Sequence, residues 1–162
     1  MTKRQATYSF SEEVINSSTH ATGVVMGLVV CIFFLTKGIA ADVPLAGLSL
    51  GLYLFGVVSS YAASTIYHSI PATNVKAKAT ARKFDHAAIF WHIAGSYSPL
   101  TLIGMRNGGD PVWAWIIFAM VWVSAIVGTC LSFRKMKSQS YLETTCYVLQ
   151  GFPDGYSKKM QI

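Results

Sequence analysis

Read from its amino terminus, the chain alternates long apolar blocks with short polar ones. Residues 14–36 contain no Lys, Arg, Asp or Glu, and residues 43–75 lack the same four types. About twenty apolar residues cross a hydrocarbon core, so the first block predicts a span from near residue 16 to near residue 40. The second block is too long for one straight span. Pro44 can open a helix and Pro71 can end one, which predicts span two over 44–69. Residues 71–84 then read as a basic loop with room for a short interfacial helix. Span three is expected from residue 85 to about residue 105, and Arg106-Asn-Gly-Gly-Asp-Pro111 reads as a tight turn. Span four covers 111–133, with Trp113 and Trp115 near its start, as in an interfacial aromatic belt. A fifth apolar stretch begins near Tyr141, includes Glu143 and stops at Pro153. Its residues 144–152 would make a helix only about 13 Å long, too short to cross. The expected fold class is all-α: a polytopic helical membrane bundle with four full transmembrane helices and a partial fifth over residues 1–152, then a polar tail, 153–162.

Composition supports that reading. Apolar residues make up 52% of the chain and charged residues 12%, where a soluble domain carries about 25% charged. The net charge of +6 could point to nucleic acid, but the cations sit in short segments between apolar blocks. With the amino terminus in the cytoplasm, Lys3, Arg4, Lys76, Lys78, Arg82, Lys83, Arg134, Lys135 and Lys137 fall inside, and Lys37 and Arg106 outside. Nine against two is a positive-inside bias, and such loops also attract anionic head groups. The expectations are therefore membrane lipids as partners, no nucleic acid, and a multi-pass protein of the bacterial inner (plasma) membrane. Homo-oligomerisation stays open. The first twenty residues do not read as a signal peptide, because 5–18 is polar and contains Glu12 and Glu13. Cys31, Cys130 and Cys146 form no CxxC and read as small residues in helices.

Ionisable groups inside a membrane are costly and mark function by default. Glu13, Asn16 and His20 open span one at spacings that share a helical face. Ser64 and His68, four apart, close span two, and Asp85 and His86 open span three. The orientation puts all of them near the inner interface, which predicts one polar site between three helices, of the kind bundles use for metals, protons or polar substrates. Each has a plainer reading: Glu13, Asn16 and Asp85 as helix caps, Ser64 bonded back to its own helix, His20 and His68 as interfacial hydrogen-bonders, His86 facing the loop. His92, seven residues past Asp85, is expected to bridge helices. Catalytic zinc takes three protein ligands and an open position, and His20, His86 and His92 form no HxxxH or HxxH pair.

Four segments carry a family resemblance: Glu13-x-x-Asn16-x-x-x-His20, Ser64-x-x-x-His68-Ser69-Ile70-Pro71, Lys83-Phe84-Asp85-His86, and Ile93-Ala94-Gly95-Ser96-Tyr97-Ser98-Pro99. Together they resemble the haemolysin III family, the bacterial branch of the progestin and adipoQ receptor superfamily. The resemblance implies a seven-helix membrane fold with a cytoplasmic amino terminus. It implies that His68 corresponds to a zinc ligand, that Asp85 holds the zinc-bound water and that Ser64 lies beside it. It also implies lipid-amide hydrolysis, with haemolysis (cytolysis), lipid homeostasis or a receptor-like regulatory role as alternatives. The other two zinc histidines of the superfamily lie on the last helix, for which this sequence has no counterpart, and His92 stands where an aliphatic residue is expected. The expectation is a truncated or frameshifted product with His68 as its one zinc ligand, binding zinc weakly and catalysing little.

Overall fold

In the computed structural model, which describes residues 8–134, the chain forms α1 (Phe10–Ala40), α2 (Ala46–Ser69), α3 (Val75–Pro99) and α4 (Pro111–Phe133). A π-helical segment, Leu100–Met105, prolongs α3. The fifth apolar stretch with Tyr141, Glu143 and Cys146, the polar tail, and Lys3, Arg4, Lys135 and Lys137 lie outside the described residues.

Helix boundaries follow local chemistry. Helix α1 starts at Phe10, about six residues before its expected opening, because Ser9 and Glu12 form a capping box. Ser9 N donates to Glu12 Oε2 (2.7 Å) and Glu12 N donates to Ser9 Oγ (3.3 Å). The link to α2 is tight: Asp42 and Leu45 both take positive φ, at 51° and 61°. Helix α2 ends where expected, with Ile70 extended before Pro71.

Helix α3 corrects one expectation. It begins at Val75, so the basic segment expected as a loop forms its first turns. Asn74 caps it, its side chain accepting from Ala77 N at 3.3 Å. The residues that follow are rich in Ala, Lys and Arg, all strong helix formers. Asp85 is therefore not the N-cap of this helix but lies well inside it. At the far end Pro99 brings no N–H, and the hydrogen-bond register loosens into the π turns. Thr101 Oγ1 donates to the carbonyls of Tyr97 (2.8 Å) and Ser98 (3.2 Å) there.

Each helix packs on its neighbour in sequence, and the contacts fix an up-and-down order. Ser17 Oγ lies 2.7 Å from Ser69 Oγ at one end of the α1–α2 pair, while Gly38 faces Ala46 at the other. The Phe84 and Phe133 rings meet at 4.9 Å, which brings the carboxyl end of α4 beside the amino-terminal part of α3. Helices α2 and α3 cross at Gly56 and Gly95. A Cβ on Gly56 would come within 2.5 Å of the Trp91 carbonyl oxygen, and one on Gly95 within 2.8 Å of that of Leu52. Small residues that let backbones meet are how helices associate where no hydrophobic force separates protein from lipid. Phe90, Ala94, Val121 and Ala125 form the core between α3 and α4.

Among the described residues, three helical stretches are long and apolar enough to cross a membrane: Phe10–Gly38, Ala46–Ser69 and Pro111–Phe133. Helix α3 is not one of them, since its first turns carry four cations. The observed fold is an all-α bundle.

Candidate functional site

The start of α1, the end of α2 and the first half of α3 share one end of the bundle, and most of the singled-out polar residues meet there in two groups. In the first, Glu13 ties three helices. Its Oε2 lies 2.6 Å from His68 Nδ1 on α2, and its Oε1 accepts from Lys78 Nζ on α3 at 2.5 Å. Lys78 also donates to the Ile70 carbonyl at 3.0 Å, at the end of α2. All three side chains are largely buried: 16% of Glu13, 10% of His68 and 16% of Lys78 remains exposed. A carboxylate beside an ammonium acts as an acceptor, so His68 Nδ1 carries a proton and donates to it, which fixes the ring and directs Nε2 away from Glu13.

Aromatic rings wall this group. His20 stacks on His68 at 5.8 Å with planes 9° apart, and Tyr8 and Tyr67 approach His68 edge-on at 5.6 and 4.8 Å. The contact series continues inward. His20 lies 6.0 Å from the Tyr61 ring, and Tyr61 lies 5.6 Å from His92. His92 thus reaches from α3 to α2, as a bridging histidine does.

The second group lies one helical turn away along α2. Ser64 Oγ donates to Asp85 Oδ1 across the α2–α3 interface. His86 Nδ1 lies 4.0 Å from Asp85 Oδ2. Ser64 thus bonds to a neighbouring helix instead of back to its own. Asn16 is half-buried, one turn past Glu13 on α1, and enters neither group through a described side-chain hydrogen bond; its carbonyl accepts from Thr19 Oγ1.

Chemically, this end offers an oriented imidazole, a serine hydroxyl bonded to a carboxylate, and a partly buried Lys–Glu pair. No three His, Cys, Asp or Glu among the described residues are arranged to hold a metal ion, and catalytic zinc takes three protein ligands. The residues described do not by themselves fit that cofactor.

Sequence comparison assigns the chain. A family model described as Haemolysin-III related matches residues 8–155. The chain belongs to the haemolysin III family. It is 28% identical over 141 residues to Hemolysin-3 of Bacillus cereus, covering 87% of this chain and 62% of that protein. It is 30% identical over 147 residues to the Hemolysin-3 homolog of Bacillus subtilis strain 168, covering 90% of this chain and 65% of the relative. The chain thus spans less than two thirds of the length of either relative. No solved structure matches it. As a haemolysin III chain with three apolar helices of spanning length among the described residues, it is a membrane protein.

Sequence reasoning about this haemolysin III chain passed over Lys78 as one more loop cation. Its signal was Asn74, which caps a helix early enough to put Lys78 seven residues before Asp85, on the same face. Tyr8, Tyr61 and Tyr67 carried no signal, because their roles depend on which helices meet.

Proposed function

We propose that this haemolysin III chain acts on membrane lipids, and that its polar end is the part of a lipid-amide hydrolytic site contributed by α1, α2 and α3. The observation that supports the reading best is the Ser64–Asp85 hydrogen bond between helices, one turn from an imidazole locked by Glu13. In this reading Asp85 accepts the proton of an attacking water as general base, and Ser64 holds the carboxylate in position. His68, its ring fixed through Nδ1 by Glu13, orients the water or the polar head of the substrate, while Lys78 holds the Glu13 carboxylate in place. The amino terminus faces the cytoplasm, and the membrane is the bacterial plasma membrane. Five described cations lie at the polar end, Lys76, Lys78, Arg82, Lys83 and Arg134, against Lys37 and Arg106 at the other.

The test is turnover of a ceramide by the purified full chain in proteoliposomes. Turnover by this chain alone is expected to be slow, and Asp85→Asn is expected to lower it by about 100-fold or more. Equal turnover in the variant, with unchanged thermal stability, overturns the reading. Metal analysis of the same sample is expected to give well below one zinc per chain. Near-stoichiometric zinc that is lost in His68→Ala would mean that ligands outside the described residues complete a site.

A second reading, membrane perturbation, is favoured by one observation: α1 leaves Val25, Met26, Val29, Ile32, Phe33 and Phe34 exposed along its length. The names of the relatives point the same way. Dye release from liposomes separates the two. Leakage that is indifferent to Asp85→Asn favours perturbation, and Asp85-dependent turnover without leakage favours the enzyme.

A further inference from the structure

The first ten residues of α3 hold more positive charge than the polar pocket uses. Residues 75–84 contain Lys76, Lys78, Arg82 and Lys83 and no Asp or Glu. Of these, Lys78 is turned inward onto Glu13 and the Ile70 carbonyl. Lys76, seven residues before Lys83, shares its helical stripe, and Lys76, Arg82 and Lys83 enter no ion pair among the described residues. The Phe84–Phe133 ring contact brings the exposed Arg134 to the same end of the bundle. The nearby carboxylates cancel only part of this charge: Glu13 is paired with Lys78, while Asp85 and Glu12 form no ion pair with Lys76, Arg82, Lys83 or Arg134 among the described residues.

Large apolar side chains stand among these cations. Val75 is 70% exposed, Phe84 45% and Phe133 40%. Cations mixed with outward apolar groups, on a helix beginning at a membrane boundary, match the layering of the interface itself, phosphates above acyl carbons. We propose that the amino-terminal strip of α3 together with Arg134 is a docking surface for anionic phospholipid headgroups. Lys76, Arg82, Lys83 and Arg134 face the phosphate diesters, and Val75, Phe84 and Phe133 sit at the level of the first acyl carbons. A nucleic acid would match the charge but not the exposed aromatic and aliphatic groups. The surface does not depend on the hydrolytic reading, since it uses none of Ser64, His68 or Asp85.

The test uses the full chain in nanodiscs of equal phosphatidylcholine and phosphatidylglycerol, re-extracted so that retained lipid can be counted by mass spectrometry. Retained phosphatidylglycerol is expected to exceed phosphatidylcholine by about fivefold or more at low salt. The excess is expected to vanish at about 0.5 M salt and in K76Q/R82Q/K83Q/R134Q, and to persist in K37Q/R106Q. Retention at the bulk ratio in the unaltered chain, or an excess that survives the fourfold substitution, overturns the proposal. So does displacement by free inorganic phosphate at constant ionic strength, which would indicate a small-anion site, and so does preferential capture of RNA by the same residues. If the fourfold variant fails to fold, K76Q/K83Q and the salt titration of the unaltered chain decide by the same criteria.

Discussion

The two ends of this bundle share a topology and differ in how they are held. At the polar end, helices are tied by side chains: Glu13 joins α1 to α2 and α3, Ser64 joins α2 to Asp85 on α3, and Ser17 joins α1 to Ser69. At the opposite end the charged residues Lys37, Asp42, Arg106 and Asp110 sit at helix ends and turns and form no ion pair between helices among the described residues. Neutral side-chain bonds still link helices in that half, from Cys31 Sγ to the Leu50 carbonyl at 3.3 Å and from Trp122 Nε1 to Ser98 Oγ at 3.1 Å, and backbone devices shape the turns. Two positive-φ residues shape the α1–α2 link, and a π segment follows Pro99. Between α1, α2 and that segment lies an apolar pocket of about 610 Å³, lined by residues such as Val30, Phe34, Leu50, Tyr53 and Ile103. The end that gathers ionisable side chains is held by directional bonds to those side chains. The opposite end turns the chain through backbone geometry.

The largest effect is expected where both ends are anchored, at the α2–α3 crossing. Gly95→Leu would drive a side chain into the Leu52 carbonyl and the Gly56 backbone. The obstacle is main chain and cannot rotate away, so the cost is expected at the top of the range for overpacking, about 3 kcal/mol or more. Thermal unfolding in detergent checks this. A melting temperature within a degree or two of the unaltered chain would mean that the helices do not cross so closely, and the contrast between ends would lose its common frame.

Next in size is Glu13→Ala. It strands an ammonium and an imidazole that are both largely buried. Hydrogen bonds to charged groups contribute about 1.5–3 kcal/mol each, and loss of the shared carboxylate is expected to cost about that much. Lys78→Met in the same background should recover part of the loss, because the orphaned charge goes with it. Failure of that rescue would argue that Lys78 is solvated in the membrane-embedded protein and that the tie is weaker than its geometry implies. Ser64→Ala should be milder, about 1 kcal/mol, and under the proposed hydrolytic function its larger effect should fall on turnover. A variant that loses stability but no turnover would mark Ser64 as purely structural.

Much of this architecture was legible in the sequence, and the exceptions have physical causes. Span four and the end of α2 follow from Pro111 and Pro71, which act locally on the backbone. The meeting of Glu13, His20 and His68 follows from helical spacing and from charge asymmetry, which sets the ends that face each other. The early start of α1 was written in Ser9-Phe-Ser-Glu12 but is easily hidden by the polar composition around it. The start of α3 was missed because hydropathy favours Asp85, while the Asn74 cap and the alanine-rich basic turns favour Val75. That error concealed Lys78, whose role appears only once its segment is helical. The ring series from His20 through Tyr61 to His92 depends on the rotation of three helices about their axes, and Tyr61 packs where Gly23 leaves room on α1. No single segment encodes that.

The smallest expected effect sharpens the comparison most. Lys37 lies at the rim of the apolar pocket, and its ammonium stands 5.9 Å from the centre of the Phe33 ring on its own helix. An exposed cation–π contact of this kind contributes about 0.5–1 kcal/mol. Lys37→Met keeps the aliphatic stem that packs along the helix and removes only the charge. It is therefore expected to shift stability by less than about 1 kcal/mol and to leave both polar groups intact. The same charge deletion at Lys78, 41 positions further along (78 − 37), should cost more, since there the ammonium is the counter-ion of a carboxylate shared between helices. Parallel melting curves of the two variants read the difference directly. Equal shifts would mean that neither the burial of Lys78 nor its inter-helix bond adds to the worth of a cation in this bundle. A larger shift for Lys78→Met would place the bundle's electrostatic stabilisation at the end where α1, α2 and α3 present their polar groups to one another.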